Sequence, residues 1–296
     1  GRGVRLYCLL DEGSVIADGV VSIVKKPLAL IGMAEKGFVN VRLTVTGTQG
    51  HSALPGPGTA AGALGAALAA LERSPFPPRL TTTVHRFFRA LAPHAAPGLG
   101  LALRLMRPLW PLLRSVLAAD PSTDALIRTT QAVTMLRAGE RPNVIPGEAS
   151  AVVNLRILPG ESTTSVLERV RRIATRRIPR RFTLRAEFLE GSDSSEPVPE
   201  LVVDADLWDA LRTTVAEIAP QAVAVPFLVV MATDSRRFSG LADSIVRFMP
   251  ALLTSADIAL IHGVDERITL ENYGRMIAFY RAFIPRVTGA APDDAR

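Results

Sequence analysis

Apolar and polar residues alternate along several stretches of the chain, and each such stretch predicts a half-exposed strand. The clearest begins at Gly37, where every second residue as far as Val45 is apolar and the residues between are polar. Three further stretches follow a strand pattern: residues 127–136, 149–157 and 182–188. Two stretches have helical spacing: residues 59–73, with Thr59 as a candidate N-cap, and residues 163–177. This order predicts a four-stranded antiparallel sheet covered on one face by two helices, a ferredoxin-like unit.

The flanking parts of the chain are more uniformly apolar, as is typical of buried strands in an α/β domain. Short apolar strands are predicted from the beginning of the chain to Leu10 and at residues 28–33. After a polar linker at residues 191–199, the pattern predicts a helix, an apolar strand and a closing helix: residues 206–218, 223–231 and 270–284. The simplest architecture is an α/β domain, residues 1–35 and 196–296, interrupted by an inserted lid at residues 36–195.

An apolar insertion at about residues 84–125 interrupts the lid pattern. Its most apolar part, residues 99–119, contains three arginines and two prolines: Arg104, Arg107, Arg114, Pro108 and Pro111. Arginines inside the stretch and prolines that break it favour two short amphipathic helices over a transmembrane span. Such helices more often close a core than touch lipid, so we do not expect membrane contact. The insertion is also a candidate wall for a fatty acyl group, or it packs the lid.

Composition is that of a globular protein, with 48% hydrophobic and 21% charged residues in a chain of 296. The formal charge of +6 and a sequence pI near 10.2 raise nucleic acid as a partner. All but three of the basic residues are arginines, and the densest run, residues 171–181, lacks interleaved aromatics. A solvated helix face explains this run better, so we expect no nucleic-acid partner. The single cysteine, Cys8, excludes an intrachain disulfide and a cysteine-based metal site.

Candidate ligating residues stand at the ends of the apolar strands. Asp11 and Glu12 directly follow the first strand, at a position where open α/β sheets bind ligands, although a solvated turn explains them as well. His262 in the segment IHGVDE follows an apolar run, but an isolated histidine is more often structural or exposed. None of the four histidines has the close spacing of a local zinc motif.

The lid and the last apolar strand supply the other candidates. His51 in GHSALP follows the alternating strand, in a loop where an imidazole can donate to a ligand. Asn143 in RPNVIP and Arg156 in NLRILPG are predicted on neighbouring strands, a pair suited to binding a carboxylate; a turn asparagine and a strand-edge arginine explain them equally. Thr233 in TDSRRF is predicted, with Asp234, to cap the next helix.

Taken together, the segments LLDEG, GHSALP, RPNVIP, NLRILPG, TDSRRF and IHGVDE resemble one family in order and spacing. This is the family of dinuclear zinc metallopeptidases that contains aminoacylase, acetylornithine deacetylase, succinyl-diaminopimelate desuccinylase and glutamate carboxypeptidase. The stretch KKPLALIGMAEKG and the long apolar insertion are similar to its secreted N-acyl amino acid hydrolase (N-fatty-acyl-amino acid synthase/hydrolase) subgroup. The resemblance implies a zinc-hydrolase α/β catalytic domain, present in part, with a ferredoxin-like α+β lid that is also the dimerisation domain.

The resemblance also implies a role for each candidate. Asp11 and His262 are then ligands of two different Zn²⁺ ions, two per full-length subunit. His51 polarises the scissile carbonyl in the active site of the partner subunit of a homodimer. Asn143 and Arg156 hold the substrate carboxylate, and Thr233 contributes to substrate binding. The remaining ligands and the general base of the family are expected upstream of Gly1.

The expected activity is metal-dependent hydrolysis of the amide bond of N-acyl amino acids or peptides, with this chain alone inactive because it holds only part of the metal site. The alternative is a non-catalytic dimerisation or binding module derived from such an enzyme. The acyl group and amino acid of the substrate do not follow from the sequence. Localisation does not follow either, although the cytoplasm is favoured if the source is bacterial.

Overall fold

The computed structural model describes residues 3–21, 23–200 and 204–289. The strands are β1 (Leu6–Asp11), β2 (Ile16–Asp18), β3 (Leu28–Glu35), β4 (Gly37–Thr46), β5 (Gly50–His51), β6 (Thr130–Ala138), β7 (Val144–Ile145), β8 (Glu148–Ile157), β9 (Thr183–Phe188), β10 (Val223–Val229), β11 (Ala242–Arg247) and β12 (Leu252–Thr254). The helices are α1 (Ala60–Glu72), α2 (Thr82–Leu91), α3 (Pro97–Arg104), α4 (Met106–Leu117), α5 (Pro121–Ile127), α6 (Thr163–Thr175), α7 (Ala205–Ile218), α8 (Ser255–Ile258) and α9 (Leu270–Thr288), with 3-10 turns at Ala92–His94 and Asp234–Phe238.

The chain divides into two compact units. The first comprises Gly1–Glu35, Leu80–Leu117 and Pro199–Arg296, and we call it the α/β unit. The second comprises Lys36–Arg79 and Ala118–Val198, and we call it the lid. In this division the lid begins at Lys36. The segment Leu80–Leu117, expected inside the lid, belongs instead to the α/β unit.

A four-stranded antiparallel sheet in the order β6-β8-β4-β9 forms the lid. Counted along the chain, its spatial order is second, third, first, fourth, which is the ferredoxin-like arrangement that the sequence predicted. The alternation of β4 is confirmed, because Val39, Val41, Leu43 and Val45 are all buried. They form the core with the inner faces of α1 and α6.

Local capping explains where the two helices that cover the lid sheet, α1 and α6, begin. Thr59 accepts a hydrogen bond from the Gly62 N–H and caps α1, as predicted. Ser162 and Ser165 form a reciprocal capping box at the start of α6. Part of the basic run at residues 171–181 contacts the lid itself, since Arg171 donates to the carbonyl of Ala186 at 2.9 Å. These arginines therefore help to hold the helix on the sheet.

Lys36 is buried at the beginning of the lid, where its ammonium group closes the C-terminal end of α5. Its Nζ donates to the carbonyl oxygens of Ala125 at 3.0 Å and Arg128 at 2.8 Å. Burial lowers the pKa of Lys36 to about 7, because the buried charge has lost its water. The nearby carboxylates of Asp124 and Glu161 oppose this shift, and the positive charge of Arg156 reinforces it.

The α/β unit is built on β3, whose eight residues are all buried. β10 runs parallel along one edge of β3, while β2 and the last residue of β11 pair antiparallel along the other. β1 then runs parallel to β11, and β12 runs parallel to β2. Among the strands that the structure describes, β10 pairs only with β3, so Pro226 removes no ladder hydrogen bond to a second strand of this set.

Helices cover this sheet and explain why Leu80–Leu117 belongs here. α7 and α9 pack on it through Leu211, Val215 and Phe279, which share a core cluster with Ile31 of β3. α2 packs against β10, where the rings of Phe87 and Phe227 meet edge to face with centroids 5.7 Å apart. The aromatic contact anchors α2 to the α/β unit, whereas the last residues of the insertion, from Ala118, belong to the lid.

α3 and α4 are the two short amphipathic helices predicted for the apolar insertion. Pro108 and Pro111 do not break the segment as expected, because both lie within α4 and Pro111 is in its interior. Leu105, Leu112 and Val116 are exposed. Within the described ranges, no helix is both long and apolar enough to cross a bilayer.

Candidate active site

Asp11 is the last residue of β1 and lies in register with Arg247 of the parallel strand β11. Its Oδ2 accepts a hydrogen bond of 2.7 Å from the backbone N–H of Ser235. The carboxyl ends of parallel strands are where open α/β sheets bind ligands. Asp11 is half-buried, so its carboxylate is oriented by the protein without being enclosed.

The pKa values of the two adjacent acids at this position are shifted in opposite directions. A hydrogen bond with Asp11 raises the pKa of Glu12, and partial burial and the charge of Asp11 act in the same direction. Partial burial opposes ionisation of Asp11, but hydrogen bonds from Glu12 and Ser235 outweigh it and lower the pKa of Asp11. Asp11 is therefore the stronger acid of the two, and the carboxylate is the form that binds a metal.

Behind Asp11, a buried polar network joins three elements of the α/β unit. Glu35, at the end of β3, accepts hydrogen bonds from the N–H of Thr233 at 2.9 Å and from its hydroxyl at 2.7 Å. The Nε of Arg247 donates to Glu35 at 2.5 Å, with both side chains almost fully buried. Burial lowers the pKa of Arg247, and the Glu35 carboxylate opposes this shift.

The capping role predicted for Thr233 is wrong. It stands at the N-cap position of the turn Asp234–Phe238, but its side chain makes no capping hydrogen bond. The buried hydroxyl donates to Glu35 instead, because this carboxylate lies inside the sheet where a donor is needed. A substrate contact by this hydroxyl would have to replace one of its present partners.

His262 is exposed, in a turn that follows α8, and has a left-handed backbone with φ of 59°. Asp265, three residues later, has φ of 63°. Positive φ is unfavourable for residues other than glycine and is concentrated at functional sites. The segment therefore has the backbone strain that is typical of a functional loop.

His51 and Asn143 lie together in the lid, on the short antiparallel ribbon of β5 and β7. His51 pairs with Val144, and the N–H of Ser52 donates to the carbonyl of Asn143 at 3.1 Å. Both side chains are exposed. The Nδ1 of His51 accepts a hydrogen bond of 3.0 Å from the N–H of Ala53, so in the neutral imidazole the proton is on Nε2. The exposed nitrogen of His51 is thus a hydrogen-bond donor.

Arg156 is half-buried near the end of β8, and its guanidinium lies over the ring of Phe38 at 5.3 Å from the centroid. No described residue forms a hydrogen bond or an ion pair with the Arg156 side chain. Stacking on an aromatic ring leaves the in-plane N–H donors of a guanidinium available, and their fork matches a carboxylate. Arg156 is therefore a cation suited to a carboxylate ligand.

Asn143 and Arg156 do not form the pair expected from the sequence. The β5–β7 ribbon continues the β4–β8 ladder outward from Thr46 and Glu148, so Asn143 lies beyond the beginning of β8. Arg156 lies eight residues after Glu148, a separation of roughly 26 Å at about 3.3 Å per residue. One lid therefore presents His51 with Asn143 at one end and Arg156 at the other.

The lid also decides the family. Residues 33–181 match the model of the M20 peptidase dimerisation domain, and the match includes β4, β6, β8 and both covering helices. The chain belongs to the M20 peptidase family. In that family the chain combines part of the α/β catalytic domain with the dimerisation domain, as the sequence predicted.

Curated relatives of this M20 chain include the N-fatty-acyl-amino acid synthase/hydrolase PM20D1.1 of Danio rerio, 38% identical over 94% of the chain and 53% of the relative. The PM20D1 enzyme of Homo sapiens is 36% identical, over 94% of the chain and 55% of the relative. A probable carboxypeptidase S-like protein of Dictyostelium discoideum is 34% identical, over 92% and 51%. The chain thus falls in the PM20D1-like subgroup and spans about half the length of these relatives.

Solved structures of M20 proteins share the fold. The metallo-carboxypeptidase Sso-CP2 of Sulfolobus solfataricus superposes with a TM-score of 0.61 at 14% identity, covering 94% of this chain and 63% of its own. The dipeptidase Dug1p of Saccharomyces cerevisiae gives 0.58 at 12% identity, covering 98% and 60%. At these identities the likeness is one of fold.

The residues of this M20 chain fit part of a zinc site. The Asp11 carboxyl group is oriented and its pKa is lowered, and carboxylate and imidazole are both zinc ligands. Among the residues that the structure describes, no three His, Cys, Asp or Glu side chains are grouped closely enough to hold a metal ion. Asp11 and His262 therefore offer single ligands, not a complete site.

Sequence reasoning gave no role to Glu35 and Arg247. A signal was present, because each is an isolated charge beside or within an apolar strand, and such a charge is buried only when it is paired. The sequence does not indicate that Glu35 and Arg247 pair with each other, because 212 residues separate them. Tyr280 on α9 was also missed; partial burial and the charge of Asp11 raise its pKa.

Proposed function

We propose that this chain is part of a metal-dependent amidohydrolase that cleaves the amide bond of N-acyl amino acids or peptides. The observation that carries the proposal is the Asp11 carboxylate, held by the Ser235 N–H at the carboxyl end of β1 in an M20 chain. Relatives named as N-fatty-acyl-amino acid hydrolases and carboxypeptidases support this reaction class. Both classes act on a substrate that ends in a carboxylate.

Asp11 and His262 would each hold one Zn²⁺ ion. When bound, zinc supplies a water of lowered pKa for attack on the amide carbon. The Ser235 N–H orients the Asp11 carboxylate by binding its Oδ2. The ligands that complete each site would come from parts of the full-length protein outside this chain.

The lid would bind and polarise the substrate. Arg156 holds the substrate carboxylate through its in-plane N–H donors, and Asn143 adds a neutral amide donor from the other end of a lid. The Nε2–H of His51 donates to the carbonyl oxygen as negative charge develops there. These donors act on different ends of the substrate, so their losses have different kinetic effects.

His51 and Asn143 would act in the active site of a partner subunit. The lid matches a peptidase dimerisation domain, which supports a homodimer. His51 is exposed and lies roughly 26 Å or more from Arg156 of its own lid. A carboxylate and an amide of one small substrate are much closer than this, so the two groups would meet only when they come from two copies.

Replacing Asp11 by Ala in the full-length protein tests the proposal. We expect loss of one of two bound zinc ions and nearly all turnover, because a zinc site that loses a ligand no longer has a hydrolytic geometry. His262→Ala should do the same to the other ion. Zinc content by elemental analysis and hydrolysis of an N-acyl amino acid are the measurements.

The matched control is Asp243→Ala, an exposed carboxylate on β11 of the same sheet, which should keep both metal and activity. Two tightly bound zinc ions in the Asp11→Ala protein would refute the assignment.

A second candidate function, a non-catalytic dimerisation module, is favoured by one observation. The described residues hold no group of three metal-ligating side chains.

Assays on the isolated chain and on the full-length protein distinguish the hydrolase from the dimerisation module. As an incomplete site, the 296 residues alone should bind no zinc tightly and hydrolyse no N-acyl amino acid. The full-length protein should do both. Zinc-dependent hydrolysis by the isolated chain would contradict the expected division of the site, whereas a full-length protein without zinc would favour the dimerisation module.

A further inference from the structure

Arg247 lies beside a glycine of β3 in the sheet of the α/β unit. Arg247 is in register with Gly32 of β3 and with Asp11 of β1. A Cβ at position 32 would lie 2.5 Å from the side chain of Val229 and 3.0 Å from the Cβ of Arg247. Only a glycine therefore leaves the space in which the guanidinium reaches Glu35.

Glu35 in turn fixes the chain that follows β10. Its two oxygens receive three donors, the backbone N–H and hydroxyl of Thr233 and the Nε of Arg247. Each is a charge-assisted hydrogen bond in a buried environment, which is stronger than the same bond in water. Gly13 completes this packing, because a Cβ there would lie 2.6 Å from the methyl group of Thr233.

Counting protons gives the direction of the next contact. The hydroxyls of Thr233 and Ser235 lie 2.6 Å apart, and the proton of Thr233 is already donated to Glu35. Ser235 must therefore donate to Thr233 Oγ1, which orients residue 235 from its side chain. The backbone N–H of the same residue donates to Asp11 Oδ2 at 2.7 Å.

We infer that Glu35, Arg247 and Thr233 form a positioning network that aims the Ser235 N–H at Asp11 and so sets the orientation of the proposed metal ligand. The inference rests on the proposed function, since it assigns a purpose to a contact with Asp11. None of the three is itself a proposed metal ligand. They act through Ser235, as outer partners that orient a ligand and tune its affinity for the ion.

Thr233→Val in the full-length protein is the decisive variant. Replacing Glu35 would strand the buried charge of Arg247 and endanger folding, whereas valine keeps the shape of threonine and removes only the hydroxyl. We expect one zinc ion per subunit to bind about tenfold more weakly, the lower end of the range for outer-shell partners. Thr233→Ser, which restores the hydroxyl, should return the zinc dissociation constant close to the wild-type value.

The dissociation constant is measured by competition with a chromophoric chelator, alongside the thermal midpoint. Leu211→Ala is the control for lost stability, because Leu211 is buried in the core of the same unit and touches no part of the network. It should lower the thermal midpoint and leave zinc affinity unchanged. Asp11→Ala, measured in parallel, reports on the proposed function alone.

Each outcome decides the inference. Weaker zinc binding in Thr233→Val with recovery in Thr233→Ser supports it. Wild-type affinity in Thr233→Val, when Asp11→Ala has lost an ion, overturns it and leaves the proposed function intact. Equal weakening in Thr233→Val and Leu211→Ala also overturns it, because the effect would then follow from stability. An Asp11→Ala protein that keeps both ions refutes the proposed function itself.

Discussion

In the proposed reaction, the lid residues Arg156 and His51 would act at different stages. This difference can be measured in KM and kcat. Arg156 would bind a carboxylate that has the same charge in the substrate and in the transition state. His51 would donate to an oxygen that becomes negative only during the reaction. An interaction made equally in both states affects KM, whereas one made only in the transition state affects kcat.

We therefore predict that Arg156→Ala mainly raises KM and that His51→Ala mainly lowers kcat. The loss in kcat should be about 10²-fold to 10³-fold, the scale of removing one oxyanion donor. Initial rates over a range of N-acyl amino acid concentrations measure both constants. Arg137→Ala, an exposed arginine of β6 in the same lid, is the matched control and should change neither. A His51→Ala enzyme with wild-type kcat would mean that this imidazole does not act on the reacting carbonyl.

The buried residues Glu35 and Arg247 show that a charge inside a sheet requires a partner of opposite charge. Arg247 is completely buried, and within the described part of the chain its Nε is the one guanidinium nitrogen with hydrogen-bond partners, Glu35 and Thr233. Removing one partner of such a pair is costlier than the pair is favourable, because the other charge stays buried. Each of the two charges therefore requires the other.

The secondary-structure elements that the sequence predicted best are those determined by residues close together in the chain. The alternation of β4 and the Thr59 cap of α1 each depend on a few neighbouring residues, and both predictions are confirmed. α2 was assigned to the wrong unit, since its place depends on the contact between Phe87 and Phe227, far apart in the chain. Spacing within a helix contains no information about which sheet its apolar face meets.

The candidate site shows the same limit. Asp11 stands at a strand end that the sequence marks, and the structure orients its carboxylate there. Asn143 and Arg156 were expected on neighbouring strands, as a pair suited to binding a carboxylate. Strand register places them at opposite ends, and register depends on pairing that the hydrophobic pattern does not specify for so short a strand as β7.

Lys36, at the C-terminal end of α5, should make the stability of the lid depend on pH. Lys36 has a pKa near 7 in the folded lid, against 10.5 for an ordinary lysine. Between these values the unfolded chain binds a proton that the folded lid does not, so stability rises with pH by at most about 1.4 kcal/mol per unit. Below pH 7 both states are protonated and this contribution no longer changes.

We predict that chemical unfolding of the lid shows this rise between pH 7.5 and pH 9.5 and that a Lys36→Met protein lacks it. The comparison is between slopes, since methionine also removes the hydrogen bonds to Ala125 and Arg128 and so lowers stability at every pH. Lys25→Met, an exposed lysine, should keep the wild-type slope. Identical slopes for wild type and Lys36→Met would mean that Lys36 is charged throughout this range.

For the whole molecule, the proposed use of His51 across a homodimer makes a prediction about mixtures. A subunit with His51→Ala keeps its own metal ligands, and a subunit with His262→Ala keeps its own His51. Each homodimer is nearly inactive, because every site lacks one of the two residues. In a hybrid dimer, one site combines intact ligands with His51 from the partner, and the other site lacks both.

Mixing the two full-length proteins should therefore restore activity. After random exchange about half the dimers are hybrids, and each has one complete site, so about a quarter of wild-type activity is the upper limit. Subunit exchange is verified separately with differently tagged copies, and a mixture of His51→Ala with Arg156→Ala serves as a second test. If Arg156 binds substrate in its own subunit, that mixture also recovers activity, since the His51→Ala subunit contributes Arg156 and the partner contributes His51. Exchange without any recovery in the first mixture would mean that His51 acts within its own chain, and the separation of His51 from Arg156 along the lid would then need another explanation.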